Sequence, residues 1–191
     1  MIDKKQIQKN VSDKLSIKNP MALPYIEKIV INIGIGKNKE DKKLTEDTIK
    51  NLSIISGQKP KITRARKAIS GFKVREGEEV GAMVTLRGRK MTSFIEKFAS
   101  IALPRIRDFK GLSKNHFDRQ GNFTLPIKEQ IIFPEIPYDK VQSIHGMQIT
   151  FKILNSNPKK SLILLEEYGI PFTKEKKLRH SKDVESTESR S

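Results

Sequence analysis

Cysteine is absent from the 191 residues, which removes disulfides, thiolate chemistry and the cysteine-rich zinc knuckles and ribbons from consideration. A reducing, aqueous compartment is the natural setting. No apolar run approaches the ~20 residues that span a bilayer, and the N-terminal MIDKKQIQKNVSDKL lacks the apolar centre of a secretory signal. Histidine is scarce. His116, His145 and His180 stand far apart, none at a metal-ligand spacing such as HxxxH, so each reads as a surface or loop residue. GIGKNKEDKK lacks the second glycine before a Lys-Ser/Thr pair and is no phosphate-binding loop. On these grounds the sequence implies no enzyme, no cofactor and no membrane partner.

What the chain has is positive charge. Thirty-eight lysines and arginines face 22 acids, a formal net charge of +16. Such an excess repels itself on a folded surface and calls for a polyanionic partner, nucleic acid first. Apolar residues make up 36%, enough for a modest core, and the length suits one compact domain with tails.

Periodicity supplies the elements. In IEKIVINIGIG, Ile29, Ile31, Ile33 and Ile35 share one strand face, with Lys28, Val30, Asn32 and Gly34 on the other. A helix follows with Leu44, Ile49, Leu52 and Ile55, capped by Asp41 and stopped by Gly57. EVGAMVTLRG turns Val80, Ala82, Val84 and Leu86 inward and Gly81, Met83, Thr85 and Arg87 outward. RKMTSFIEKFASIAL spaces Met91, Phe94, Ile95, Phe98 and Ile101 helically before Pro104. GNFTLPIKE and GMQITFKIL alternate again, and a last helix runs from Asn157 and Pro158 to Gly169. Residues 104–120 show no period and read as a functional or mobile loop. No internal repeat is present. The expected fold is α+β: a mostly antiparallel sheet, helices on one face, a long basic hairpin, in the manner of an RRM-like or ferredoxin-like sandwich. Residues 1–173 form the domain, opened by an N-terminal helix over about 1–19, and the polar 174–191 form a disordered tail.

Between Lys59 and Lys90 ten cations meet only three glutamates, with RARKAISGFKVREG at the centre. Clustered guanidinium and ammonium groups bind phosphates by charge-assisted hydrogen bonds and counterion release. Gly71 and Gly77 let the backbone bend, and Phe72 at the tip is placed to stack on a base or ribose. The plain alternative is a charged edge strand defended against aggregation, Phe72 tucked beneath it. If the first two strands share a sheet, Asn32 and Thr85 lie on one polar face near Gln58 and Lys59, offering neutral hydrogen bonds to ribose and base edges. Facing water alone is the other reading.

IEKIVINIGIG, ISGQKPKITRARKAISGFKVREG, VGAMVTLRG, LPRIRDFKGLS, IKEQIIFPEIPYDKV and HGMQITF occur in an order and spacing that resembles the bacterial L5 family of large-subunit ribosomal proteins, from about Leu23 to Phe172. The resemblance implies a protein of the central protuberance that anchors 5S rRNA to 23S-type rRNA beside other proteins of that region. It implies 5S rRNA contacts at Asn32, Gln58, Thr63 and Thr85, with Lys59, Arg64, Lys67 and Arg87 on phosphates. Ser70, Gly71, Phe72, Lys73, Val74, Arg75, Glu76 and Gly77 would form the loop that reaches the P-site tRNA. Arg107, Asp108, Lys110, Tyr138 and His145 would meet a small-subunit head protein at an intersubunit bridge. A cytoplasmic ribosome is implied, an organellar one being the other setting.

Two departures from the family pattern stand out. FDRQGNF replaces the usual FDGRGNY, and HGMQI stands where Arg-Gly-Met-Asp is common, so His145 takes the place of a permanent cation. Both are expected near the bridge surface. A free-standing RNA-binding regulator or RNA chaperone is the competing reading, separable by its preferred RNA target.

Overall fold

The computed structural model describes residues 4–35, 42–107, 109–136 and 143–173. Asp41, Asp108, Tyr138 and the tail 174–191 lie outside the described residues. Nine main elements follow in order: α1 (Lys4–Leu15), β1 (Tyr25–Gly34), α2 (Lys42–Ser56), β2 (Lys61–Arg64), β3 (Glu79–Leu86), α3 (Gly88–Lys97), β4 (Phe123–Ile127), β5 (Met147–Leu154) and α4 (Pro158–Glu167). The strands form one antiparallel sheet in the order β2-β3-β1-β5-β4. The fold is α+β, as the periodicity predicts.

Strand alternation builds the core. Ile31 pairs with Val84 on one side and Ile149 on the other, and Ile29 with Leu86 and Phe151. All six are buried. Beneath this face Phe98 is an aromatic hub, with ring centroids 5.9 Å from Phe94, 6.5 Å from Phe133 and 6.1 Å from Phe151. Such ring pairs add about 0.5–1.5 kcal/mol beyond area burial.

The helices start and stop for local reasons. Asn157 caps α4 by accepting from Lys160 N, Pro158 opens it, and Gly169 leaves it at φ +82°. Gly57, at φ +62°, ends α2. Among the described residues α1 ends at Leu15, and it is tied to α4: Asn10 Nδ2 donates to Glu167 at 2.9 Å and Lys14 Nζ donates to the other oxygen.

Three expectations need correction. Ile101 is 44% exposed rather than buried. The helical run also passes Pro104: it widens to a π-turn over Phe98–Ala102, where Leu103 N reaches back to Phe98 O, then tightens over Leu103–Arg105. Proline supplies no N–H, and the change of pitch accommodates it while rotating Ile101 outward. Finally, residues 109–120, read from the sequence as part of a functional or mobile loop, are held down. Leu112 is buried and bridges Phe172, Ser113 caps a short turn, and Asp118 accepts from Asn122 N and Nδ2. Each tie reaches a partner of irregular spacing, so no period marks it.

Candidate nucleic-acid interface

The face of the sheet opposite the core is open. Register places its outward residues in rows across the strands: Lys61–Met83–Asn32–Gln148–Pro126, and beside it Thr85–Val30–Thr150–Thr124. Asn32 is exposed, as the isoleucine alternation predicts, and Thr85 is half-buried. The two are diagonal neighbours, because Asn32 pairs with Met83 and Thr85 with Val30.

Gln58 joins them. It follows α2, its backbone N–H donates to Ser56 Oγ at 3.3 Å, and its side-chain Nε2 donates to Thr85 O at 3.4 Å. Thr63 comes in on β2 opposite Gly81. A Cβ at Gly81 would stand 2.9 Å from Thr63 Oγ1 and 2.7 Å from Ile33 O. Glycine is thus what lets β2, β3 and β1 close up here, and it explains why outward-facing Gly81 is buried. Asn32, Thr63 and Thr85 therefore lie on one face over the β2-β3-β1 half of the sheet, with Gln58 beside its Thr85 end.

The cations surround it. Lys59 just before β2, Arg64 at its end and Arg87 just after β3 border it, Lys67 lies farther out along the hairpin, and all four are exposed. Arg64 also pairs with Glu79 at 3.4 Å, at the irregularity where β2 leaves β3. An exposed pair of this kind holds little energy and yields readily to a phosphate.

Beyond β2 the chain forms a second, smaller hairpin. Ala65 N donates to Glu78 O at 2.8 Å, extending the ladder, and Ile69 bridges Val74. A turn over Ser70–Phe72 closes the tip, with Lys73 in left-handed backbone at φ +50°. Phe72 is 75% exposed. This excludes the arrangement in which it tucks beneath the hairpin. Ile69, 50% exposed, accompanies it and was not picked out by sequence reasoning, although its position two residues before the glycine marks the same tip.

The remaining candidates sit apart. Arg107 and Lys110 belong to the crossing anchored on residues 171–173, where Leu112 N donates to Pro171 O and Thr173 Oγ1 to Lys110 O. His145 is fixed elsewhere, by fully buried Gln130: Gln130 Nε2 donates to Ser143 O and Oε1 accepts from His145 N, each at 2.7 Å. Burial lowers the His145 pKa below its ordinary value, against the opposing contact with Ser143 O. His145 is thus a neutral side chain near pH 7 and does not replace a cation. Within FDRQGNF, Arg119 and Gln120 are exposed, whereas Phe123 is fully buried, its ring 4.8 Å from Phe117 and 5.4 Å from Phe172, so the lost tyrosine hydroxyl belongs to the core. Gln148, in the HGMQI departure, faces out beside Asn32.

Among the described residues no helix is long and apolar enough to cross a membrane, and no cluster of His, Asp and Glu could hold a metal ion. The chain matches the ribosomal protein L5 family model over residues 19–75 and the model of that family's C-terminus over residues 79–172. It is similar to the large ribosomal subunit protein uL5 of Helicobacter pylori (strain G27), 47% identical over 169 residues, covering 88% of this chain and 93% of that one. The uL5 proteins of Helicobacter acinonychis (strain Sheeba), 47% identical, and Anaeromyxobacter sp. (strain Fw109-5), 49% identical, match with the same coverage. An open polar sheet face, a basic hairpin and these matches along nearly the whole described chain agree: the protein belongs to the ribosomal protein L5 family, structural, non-enzymatic, RNA-associated constituents of the large ribosomal subunit.

Proposed function

We propose that the open face of the sheet binds 5S rRNA and anchors it to 23S-type rRNA in the central protuberance, with residues 1–173 acting as one domain in a cytoplasmic ribosome. The observation that carries this reading is the grouping of Asn32, Thr63 and Thr85 on one face with Gln58 beside them, bordered by Lys59, Arg64 and Arg87 with Lys67 farther out. Amides and hydroxyls read ribose and base edges, while the cations at the rim neutralise phosphates.

The hairpin tip reaches a second RNA, the P-site tRNA. Exposed Phe72 and Ile69 with Lys73 and Arg75 give a small, mixed contact suited to a partner that must leave each cycle. Arg107, Lys110 and His145, with Asp108 and Tyr138, would meet a small-subunit head protein at an intersubunit bridge. Other proteins of the protuberance would flank them.

Binding of the full chain to 5S rRNA and to a scrambled RNA of equal length, at moderately high salt, tests the reading. Selective binding that Asn32→Ala and Thr85→Ala weaken, with melting temperature unchanged, is the expected result. Equal affinity for both RNAs overturns it.

A further inference from the structure

The platform does not stop at β1. Asn32 pairs directly with Gln148 on β5, and both are exposed. Directly opposed residues in an antiparallel pair hold their side chains about 4.5–5.5 Å apart at Cβ on the same face. Neither amide is engaged by another group among the described residues. Two amides side by side present donors and acceptors together, which is the pattern that pairs with a base edge or a ribose hydroxyl.

The next row continues the polar surface: Thr150 Oγ1 lies 3.3 Å from Thr124 Oγ1, across β5 and β4. Farther along, Lys28 on β1 pairs directly with Lys152 on β5. Like charges placed opposite one another destabilise a strand pair. Lys152 reaches the neutral Gln120 oxygen, at 3.4 Å. The Asp118 carboxylate, whose pKa Lys152 helps to lower, offsets part of this repulsion, and the pair keeps an excess positive charge that a phosphate would relieve. From Lys28 to Asn32 the strand rises about 13 Å, and no outward residue between these rows is an acid.

We infer that the RNA footprint extends across β5 to β4, with the Asn32–Gln148 amide pair reading bases or riboses and the Lys28–Lys152 pair holding a phosphate. This rests on the proposed RNA-binding reading and widens its site from the β2-β3-β1 half of the sheet to all five strands.

Filter binding of the full chain to 5S rRNA, over a salt series, tests it with Gln148→Ala, Gln148→Glu, Asn32→Ala, the Asn32→Ala/Gln148→Ala double variant and Lys28→Ala/Lys152→Ala. Melting temperatures accompany each. Gln148→Ala is expected to weaken binding about threefold to tenfold, and Gln148→Glu more, since it puts a carboxylate among phosphates. The double variant should lose less than the product of the single losses. Removing the two lysines should flatten the salt dependence by about one phosphate and leave the RNA-free protein at least as stable. If Asn32→Ala weakens binding while both Gln148 variants bind as the parent and the lysine pair leaves the salt slope unchanged, the footprint ends at β1 and the inference falls alone. If Asn32→Ala and Thr85→Ala are also silent, the RNA-binding reading falls with it.

Discussion

Gln58 Nε2 donates to the Thr85 carbonyl at 3.4 Å, so the loop after α2 is tied to the free stretch of the β3 edge beyond its pairing with β2. The amide oxygen stays available while the nitrogen is occupied. Gln58→Ala should weaken 5S rRNA binding about fivefold, the worth of roughly one net hydrogen bond. The loss should persist at high salt, unlike that of Lys67→Ala, which ionic screening should erase. Filter binding at two salt concentrations checks both, and identical salt dependence for the two variants would contradict the division of roles.

Phe72 contributes nothing to the core. Phe72→Ala, alone or with Lys73→Ala and Arg75→Ala, should leave the melting temperature and 5S rRNA affinity unchanged, because the ring is 75% exposed. Translation by subunits carrying the variant should slow at tRNA-dependent steps. A comparable drop in 5S rRNA affinity would mean that base and tip do not serve different RNAs.

Lys97 is a cation working inside the structure. Its Nζ donates to Ile55 O at 2.8 Å, pairs with Glu135, and sits 5.9 Å from the Phe94 ring centroid. It thereby joins the end of α2, α3 and the segment before residue 136. Lys97→Met should cost about 1–3 kcal/mol by leaving the Glu135 charge without its partner. Adding Glu135→Leu should recover part of that loss in urea denaturation.

His145 makes stability depend on pH in a defined window. Burial lowers its folded pKa below the ordinary 6.5, so the unfolded chain takes up a proton first. Its contribution is complete above about pH 6.5 and declines as pH falls through the lower folded value. Urea midpoints between pH 8 and pH 5 should therefore fall more steeply for the parent than for His145→Asn. Asp118 stays clear of this window: burial raises its pKa, but hydrogen bonds from Asn122 more than offset this and keep it below the usual carboxylate value.

Gly121 stands at φ +82°, and a Cβ there would lie 2.6 Å from Ser161 Oγ and 2.9 Å from the Asn157 carbonyl carbon. Ser161 is fully buried and donates to Gly121 O. Gly121→Ala should destabilise the fold by about 1–3 kcal/mol through overpacking and backbone strain. Replacing exposed Arg119 with glycine, as the family pattern has it, should change stability by less than about 1 kcal/mol. Thermal melts of the two variants beside the parent check the contrast.

Alternation made the sheet legible because Ile29, Ile31, Ile33, Ala82, Val84, Leu86, Ile149 and Phe151 all fall on the inward parity of β1, β3 and β5, although Val30 and Met83 stand among the polar residues outside. Asn32 could be placed outward from its own strand alone. Its neighbour Gln148 could not, since that juxtaposition depends on pairing between segments over a hundred residues apart. Lys97, Gln130 and Ser161 were equally hidden: their types are usually exposed, and only their partners Ile55, Ser143 and Gly121 explain why they lie inside. Residues 109–120 defeated periodicity for a related reason: Leu112 is tied to Phe172 far along the chain, while Ser113 and Asp118 make local bonds that carry no period.

The clasp between α1 and α4 has a temporal side. Asn10 and Lys14 are 157 and 153 residues from Glu167, so α1 is synthesised well before its companion α4. At ordinary translation speeds the interval between making α1 and making Glu167 is roughly 8–30 s. During it the nascent leading helix has its apolar stripe, Ile7 and Val11, without a lid. Circular permutation that makes α1 and α4 neighbours in the chain should shorten that interval.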